Sequence, residues 1–277
     1  MRRAFVILSL LASCHSAFAG TANGQTITFP ARDVALRGVL FLPGTPGPHP
    51  SVVALHGCSG LYSQDGSLNP RHADWGSRLA AAGFIVLMPD SYGSRGLGPQ
   101  CSVRDRQVRP GRERVFDADD ARAYLQTRPD VKATAISLMG WSNGGSSVVQ
   151  AVRVGADRPD SGADFAKAVA FYPGCRLAEE TGSWHGRLPL LILIGGGDTW
   201  TPAQPCQALA DEARQHGEDV TIKVYPGALH DFDHPGLGHH LREGLAYTGD
   251  GSGEAEVGTD PVARADALRS VPAFLAR

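Results

Sequence analysis

The sequence predicts an α/β fold: a mostly parallel central sheet with antiparallel N-terminal strands and helices on both faces. Three observations carry this. From about residue 51 onward, apolar runs of strand length alternate with helix-length segments, the pattern of a parallel sheet covered on both sides. Before them, Gln25–Phe29 and Val39–Leu42 read as two strands joined through Arg32 and Asp33, an antiparallel opening. At Thr134–Ser147 an apolar run stops at Gly140, turns through Trp141, Ser142 and Asn143, and continues as a helix-compatible segment to about Val154. With 277 residues, 42 % of them hydrophobic and 19 % charged, the chain suits one domain with a sizeable core.

The elements follow in order. The proline-rich stretch 43–50 is a loop, because proline cannot donate within a central strand. Ser51–Leu55 is a short apolar strand ending in His56, Gly57, Cys58, Ser59 and Gly60, and 61–73 reads as a polar loop. Trp75–Ala82 is a helix closed by Gly83, which suits a left-handed cap. Phe84–Met88 is a buried strand, and 91–111 is a long loop of the kind that usually has a function. Arg112–Arg128 carries Val115, Ala118, Ala121 and Leu125 at helical spacing. Lys167–Phe171, Leu188–Ile194 and Val220–Tyr225 are further strands, with a helix over Ala203–His216. Residues 248–259, rich in glycine and acids, read as mobile. Pro261–Leu275 closes the chain as a helix with Asp260 as its N-cap. No internal repeat or interdomain linker is visible.

Parallel strands bring the loops at their carboxyl ends to one rim. Gly140-Trp141-Ser142-Asn143-Gly144 has the form G-x-S-x-G, a strand–turn–helix that lifts a serine hydroxyl above the sheet edge. A serine needs a base to take its proton, and an imidazole base needs a carboxylate to fix its tautomer. Asp198, after the Leu188–Ile194 strand, and His230, after Val220–Tyr225, supply them. The order Ser142, Asp198, His230 is the one α/β-hydrolases use. His230 is preferred over His234, His239 and His240 because it alone follows the strand directly. The expected oxyanion hole pairs the amides of Asn143 and Cys58, and His56 is read as structural. His230, Asp231, Asp233 and His234 also offer a metal-ligand reading, but no helix there would fix their geometry. No metal or cofactor is expected.

These pieces resemble the dienelactone hydrolase family within the α/β-hydrolase superfamily. The matching stretches are ALHGCSGLY, VLMPDSYGSRG, MGWSNGG, LILIGGGDTWTP and VYPGALHDFD, in order across nearly the whole chain after the leader. The resemblance implies a cofactor-free hydrolase of small-molecule esters or lactones. The founding enzymes carry a cysteine nucleophile where this chain has Ser142, and a glutamate in the oxyanion loop where it has Gly57. Both departures point to a conventional serine esterase. By the same resemblance Arg95 would hold a substrate carboxylate. The family's second arginine is absent: His234 stands there, and the next arginine is Arg242. Trp141, beside the serine, is the other expected substrate contact. The alternatives are a non-catalytic exported binding protein on the same fold or, among enzymes, a polyester hydrolase or a peptidase.

The N-terminus reads as a targeting segment. Arg2 and Arg3 precede a short apolar run, and Ala17-Phe18-Ala19 is a cleavage site, so 1–19 is read as a signal peptide and 20–277 as a single domain. Leu11-Ala12-Ser13-Cys14 also resembles a lipobox, which would place a lipid anchor on Cys14. Either route exports the protein to the periplasm or beyond. In that setting Cys58, Cys101, Cys175 and Cys206 read as two bridges with three pairings open. The strand order favours Cys58–Cys101 and Cys175–Cys206. A formal charge of −2 offers no basic face for nucleic acid, and no apolar run after the first twenty residues is long enough to span a membrane.

Overall fold

The computed structural model describes residues 24–156, 162–176 and 184–277. The expected signal peptide, its cleavage site and the lipobox cysteine Cys14 lie outside the described residues. Eight strands form one sheet in the order β1-β2-β4-β3-β5-β6-β7-β8. β1 (Gln25–Phe29), β2 (Leu36–Phe41) and β4 (Ile85–Pro89) meet antiparallel, while β4, β3 (His49–Leu55), β5 (Val131–Trp141), β6 (Ala168–Phe171), β7 (Leu190–Gly195) and β8 (Val220–Tyr225) are parallel. Among the described residues the α-helices are α1 (Pro70–Ala81), α2 (Glu113–Gln126), α3 (Asn143–Ala151), α4 (Ala203–Gln215) and α5 (Pro261–Ala276). This is the expected α/β-hydrolase architecture.

The middle strands are mostly apolar and buried in the stretches that pair with one another, because helices cover both faces. Val52, Leu87, Leu138, Val169 and Ile192 have no exposed surface at all. Register then sets the rim: Leu55 pairs with Gly140, Trp141 with Phe171 and Gly195 with Tyr225, so β3, β5, β6, β7 and β8 end together. The turns and loops that leave these ends carry Cys58, Ser142, Asp198 and His230.

Two expectations are corrected. α1 begins at Pro70, five residues before the expected Trp75: the Asn69 side chain accepts the Arg71 amide at 3.0 Å, and Pro70 occupies the first turn. That brings Arg71 and His72, read as loop residues, onto a helix. The stretch 248–259 is not free chain: β10 (Ala255–Val257) pairs with β9 (His240–Arg242), Val257 bridges to His230, and Ala255 and Val257 are buried. A three-residue alternation of small apolar and acidic side chains is too short to stand out among its glycines.

Candidate active site

The serine turn is built by backbone contact. A Cβ on Gly140 would lie 2.4 Å from the Gly144 carbonyl oxygen, and one on Gly144 would lie 2.2 Å from that of Leu55, so neither position admits a side chain. Ser142 sits at φ 51° and ψ −116°, a strained conformation for a residue with a Cβ. It makes no side-chain cap on α3, so its hydroxyl is not spent on the helix. Asn143 opens α3, where the first amides have no partner within the helix.

Asp198 and His230 are brought together by the two loops beyond β7 and β8. A Cβ on Gly195 would lie 2.1 Å from the Ala228 carbonyl oxygen, and the Gly197 amide donates to that same oxygen at 3.0 Å. Asp198 Oδ1 accepts the amides of Trp200 and Thr201, both at 2.9 Å, and Oδ2 accepts His230 Nδ1 at 2.7 Å. Because a carboxylate only accepts, this contact sets the tautomer of the neutral ring, with the proton on Nδ1 and the lone pair on Nε2. Nε2 is buried and has no hydrogen-bond partner. The ring lies between Tyr172 and Trp200, with centroids 4.5 and 4.7 Å away, and the His230 carbonyl accepts the Gly258 amide at 3.0 Å.

On the other side stands the loop after β3. A Cβ on Gly57 would lie 3.6 Å from Ser142 Cβ, so this loop stacks on the serine turn. Cys58 is bridged to Cys101, and the Gln100 amide donates to the Cys58 carbonyl at 2.7 Å. His56 is fully buried, with Nδ1 donating to the Gly57 carbonyl at 2.8 Å and Nε2 accepting the Ser91 amide at 3.2 Å, a structural role. Burial, aided by the nearby Arg114 charge, holds its pKa well below the usual histidine range. Asn143 is fixed from behind, its Oδ1 accepting Arg114 Nη1 at 2.8 Å and the Tyr92 hydroxyl at 3.0 Å. The second bridge, Cys175–Cys206, ties the loop beyond β6 to α4.

Ser142, His230 and Cys58 line one cleft of about 160 Å³, together with Arg71, His72 and Arg242. The sequence of this chain matches the pattern of the dienelactone hydrolase family over residues 36–276. The chain belongs to that family. It is 34 % identical to rat mitochondrial acyl-coenzyme A thioesterase 2 over 116 residues, 42 % of this chain but only 22 % of the thioesterase's length. A Synechocystis protein named, provisionally, a carboxymethylenebutenolidase is 24 % identical over 224 residues, 74 % of this chain and 85 % of that one. Among solved structures, the dienelactone hydrolase-like promiscuous phosphotriesterase P91 from metagenomic libraries superposes with a TM-score of 0.70 at 20 % identity, over 93 % of this chain and 98 % of that one. Apo esterase 2 of Thermogutta terrifontis gives 0.64 at 19 %, over 93 % and 95 %. The structural likenesses carry the fold, and the sequence match over residues 36–276 carries the family assignment.

Two expected substrate contacts, Arg95 from the family resemblance and Trp141 from its place beside the serine, are corrected. The Arg95 guanidinium is held by Asp117 at 2.7 Å and Asp33 at 2.9 Å and donates to the Ser91 carbonyl at 2.8 Å; it is not among the cleft residues. The Trp141 side chain is wholly buried and gives its indole hydrogen to Asp233 at 2.9 Å, so it cannot touch substrate. The metal-ligand reading also loses its donors: Arg71 takes Asp231 at 2.5 Å and lies 3.5 Å from Asp233. Burial works against the charge of Asp231, but Arg71 outweighs it and holds the carboxyl below its ordinary range.

Among the cleft residues, Arg71, His72 and Arg242 were not read as part of the site. Arg71 and His72 follow an Asn-Pro helix start, a signal present in the sequence. His72 gives Nδ1 to the Leu61 carbonyl at 3.0 Å, and burial beside Arg71 pushes its pKa down to about 3. Arg242 lies over the Trp200 ring at 5.1 Å and reaches Ser59 Oγ at 3.4 Å. It arrives on β9, an element with no sequence signature.

Proposed function

We propose that this protein is an exported serine hydrolase of small polar esters or lactones, acting through an acyl-enzyme. The observation that carries the reading is the bare, buried Nε2 of His230, whose tautomer Asp198 sets from the far side and which shares a cleft with Ser142. Nε2 takes the Ser142 proton as Oγ attacks the substrate carbonyl, and Asp198 stabilises the imidazolium. The amides of Cys58 and Asn143 receive the oxyanion, each such donor being worth roughly 10²–10³ in rate. Collapse of the tetrahedral intermediate expels the alkoxide, which takes the proton back from His230. Water then repeats the cycle on the acyl-serine, giving the free acid and regenerated Ser142.

The cleft volume supports a compact substrate, since pockets for drug-sized ligands run to roughly 300–1,000 Å³. Among the described residues Arg242 has no carboxylate within ion-pair distance, which fits it for an anionic group on the substrate in the place first expected of Arg95. The two disulfides support export, because such bridges persist in oxidising compartments, and no helix among the described residues is long and apolar enough to cross a membrane. A panel of p-nitrophenyl esters of graded chain length, lactones and aminoacyl amides tests the reading. Turnover should favour short esters and fall by roughly 10⁴–10⁶ in Ser142→Ala. Preference for amides, or normal turnover by a folded Ser142→Ala protein, would remove it.

A further inference from the structure

A second carboxylate beneath the site is placed where no triad needs one. Asp233 has no exposed surface. Its Oδ1 accepts the Tyr172 hydroxyl at 2.6 Å, and its Oδ2 accepts the indole hydrogens of Trp75 at 2.7 Å and Trp141 at 2.9 Å. Arg71 lies 3.5 Å from Oδ1 and supplies the compensating charge. An isolated buried carboxylate is costly, and a well-packed apolar group at such a place is often as stable or more so. Stability alone therefore does not account for an aspartate here.

What the carboxylate joins does. Trp141 immediately precedes Ser142. Tyr172, at the end of β6 with φ 34°, lays its ring 4.5 Å from that of His230, and its carbonyl lies 3.0 Å from the Thr201 hydroxyl beside Asp198. Asp233 itself is three residues beyond His230. One side chain thus ties the end of β5, the end of β6 and the histidine loop to α1. These are separate strand ends, and their relative height sets the distance from Ser142 Oγ to His230 Nε2.

We propose that Asp233 is a positioning residue for the hydrolytic reaction: by holding Trp141 and Tyr172 together it keeps the serine turn and the histidine ring in register. This rests on the serine-hydrolase reading above. Misplacement by about 1 Å at such a site can cost on the order of 10²-fold in rate. Asp233→Asn turns an acceptor into a group that must point hydrogens at one of its donors. It should lower kcat on a short ester about 10- to 100-fold with KM within about twofold, as expected when alignment and not binding is lost. Tyr172→Phe, which keeps the ring and removes the tether, should lower kcat roughly tenfold. Trp75→Phe removes a bond to the same carboxylate from a residue that precedes neither Ser142 nor His230. It should lower the thermal midpoint yet leave kcat within about twofold well below that midpoint.

The outcome that overturns the proposal is kcat within twofold of the parent in both Tyr172→Phe and Asp233→Asn, or a loss in Trp75→Phe as large as theirs. If Asp233→Asn yields no folded protein, the Tyr172→Phe and Trp75→Phe pair decides alone. Failure of the underlying hydrolase reading would show separately, as undiminished turnover in Ser142→Ala.

Discussion

Arg95 in the loop 91–111 and Arg242 in the segment 237–259 have opposite surroundings. Arg95, in the loop, is captured by Asp117 on α2 and by Asp33, so its charge is spent on holding the loop to the body. Arg242, on the β9–β10 hairpin, meets an aromatic face and a hydroxyl in the cleft wall, which leaves its charge available for the substrate role proposed above. The loop still serves the site, but through its backbone: Cys101 is bridged to Cys58, and the Cys101 carbonyl accepts the Ala246 amide at 2.9 Å, linking oxyanion loop and hairpin. Residue type marks what a side chain could bind. Which carboxylate reaches it first decides what it does bind.

Substitution at the two arginines should break the comparison cleanly. Arg242→Ala removes a charged hydrogen bond worth about 1.5–3 kcal/mol, so kcat/KM for a half-ester of a dicarboxylic acid should fall roughly 10- to 150-fold. A neutral acetate ester should be nearly unaffected; equal losses on both would make Arg242 a wall residue that does not read charge. Arg95→Ala should show the reverse pattern. It leaves Asp117 buried without its partner, at a cost of about 3 kcal/mol in urea unfolding, while the ratio of kcat/KM for the charged and neutral esters stays at the parent value. A selective loss on the charged ester would return Arg95 to the substrate.

Acidification should loosen the loop before the hairpin. His56 must stay neutral to accept the Ser91 amide at the loop's start, and His72 is likewise buried and neutral. Burial lowers both folded-state pKa values from 6.5, His72 to about 3, with the charges of Arg114 and Arg71 adding to the effect. Below pH 6.5 the unfolded chain takes up protons that the folded one refuses. The stability these histidines contribute is therefore full above that pH and is lost as pH falls. Each adds a slope of up to about 1.4 kcal/mol per pH unit. Urea titrations between pH 7.5 and 5 check this, and His72→Gln should flatten the curve. A flat profile in the parent would mean that neither histidine is held neutral.

Much of this was legible beforehand, and the reasons differ by region. Strand ends are written in local chemistry: glycines where backbones touch, as at Gly140 and Gly144, and polar residues directly after apolar runs, as at Asp198 and His230. The cysteine pairing followed from the strand order. What was not legible depends on distant partners. Nothing near Arg95 announces Asp117, and nothing near Trp141 announces that Asp233 will draw its indole inward. β10 shows one alternation in three residues, and its pairing with β9 is visible only once Val257 is seen beside His230. The start of α1 is different, since Asn69 and Pro70 carry the signal in plain form.

The central claim, that Ser142 is the nucleophile poised by His230 and Asp198, is tested most directly by a serine-directed fluorophosphonate and peptide mass mapping of the product. The account predicts a single adduct on the peptide containing Ser142, complete loss of ester turnover at one equivalent, and no adduct in Ser142→Ala. Labelling elsewhere with Ser142 unmodified, or full turnover by the labelled protein, would contradict it.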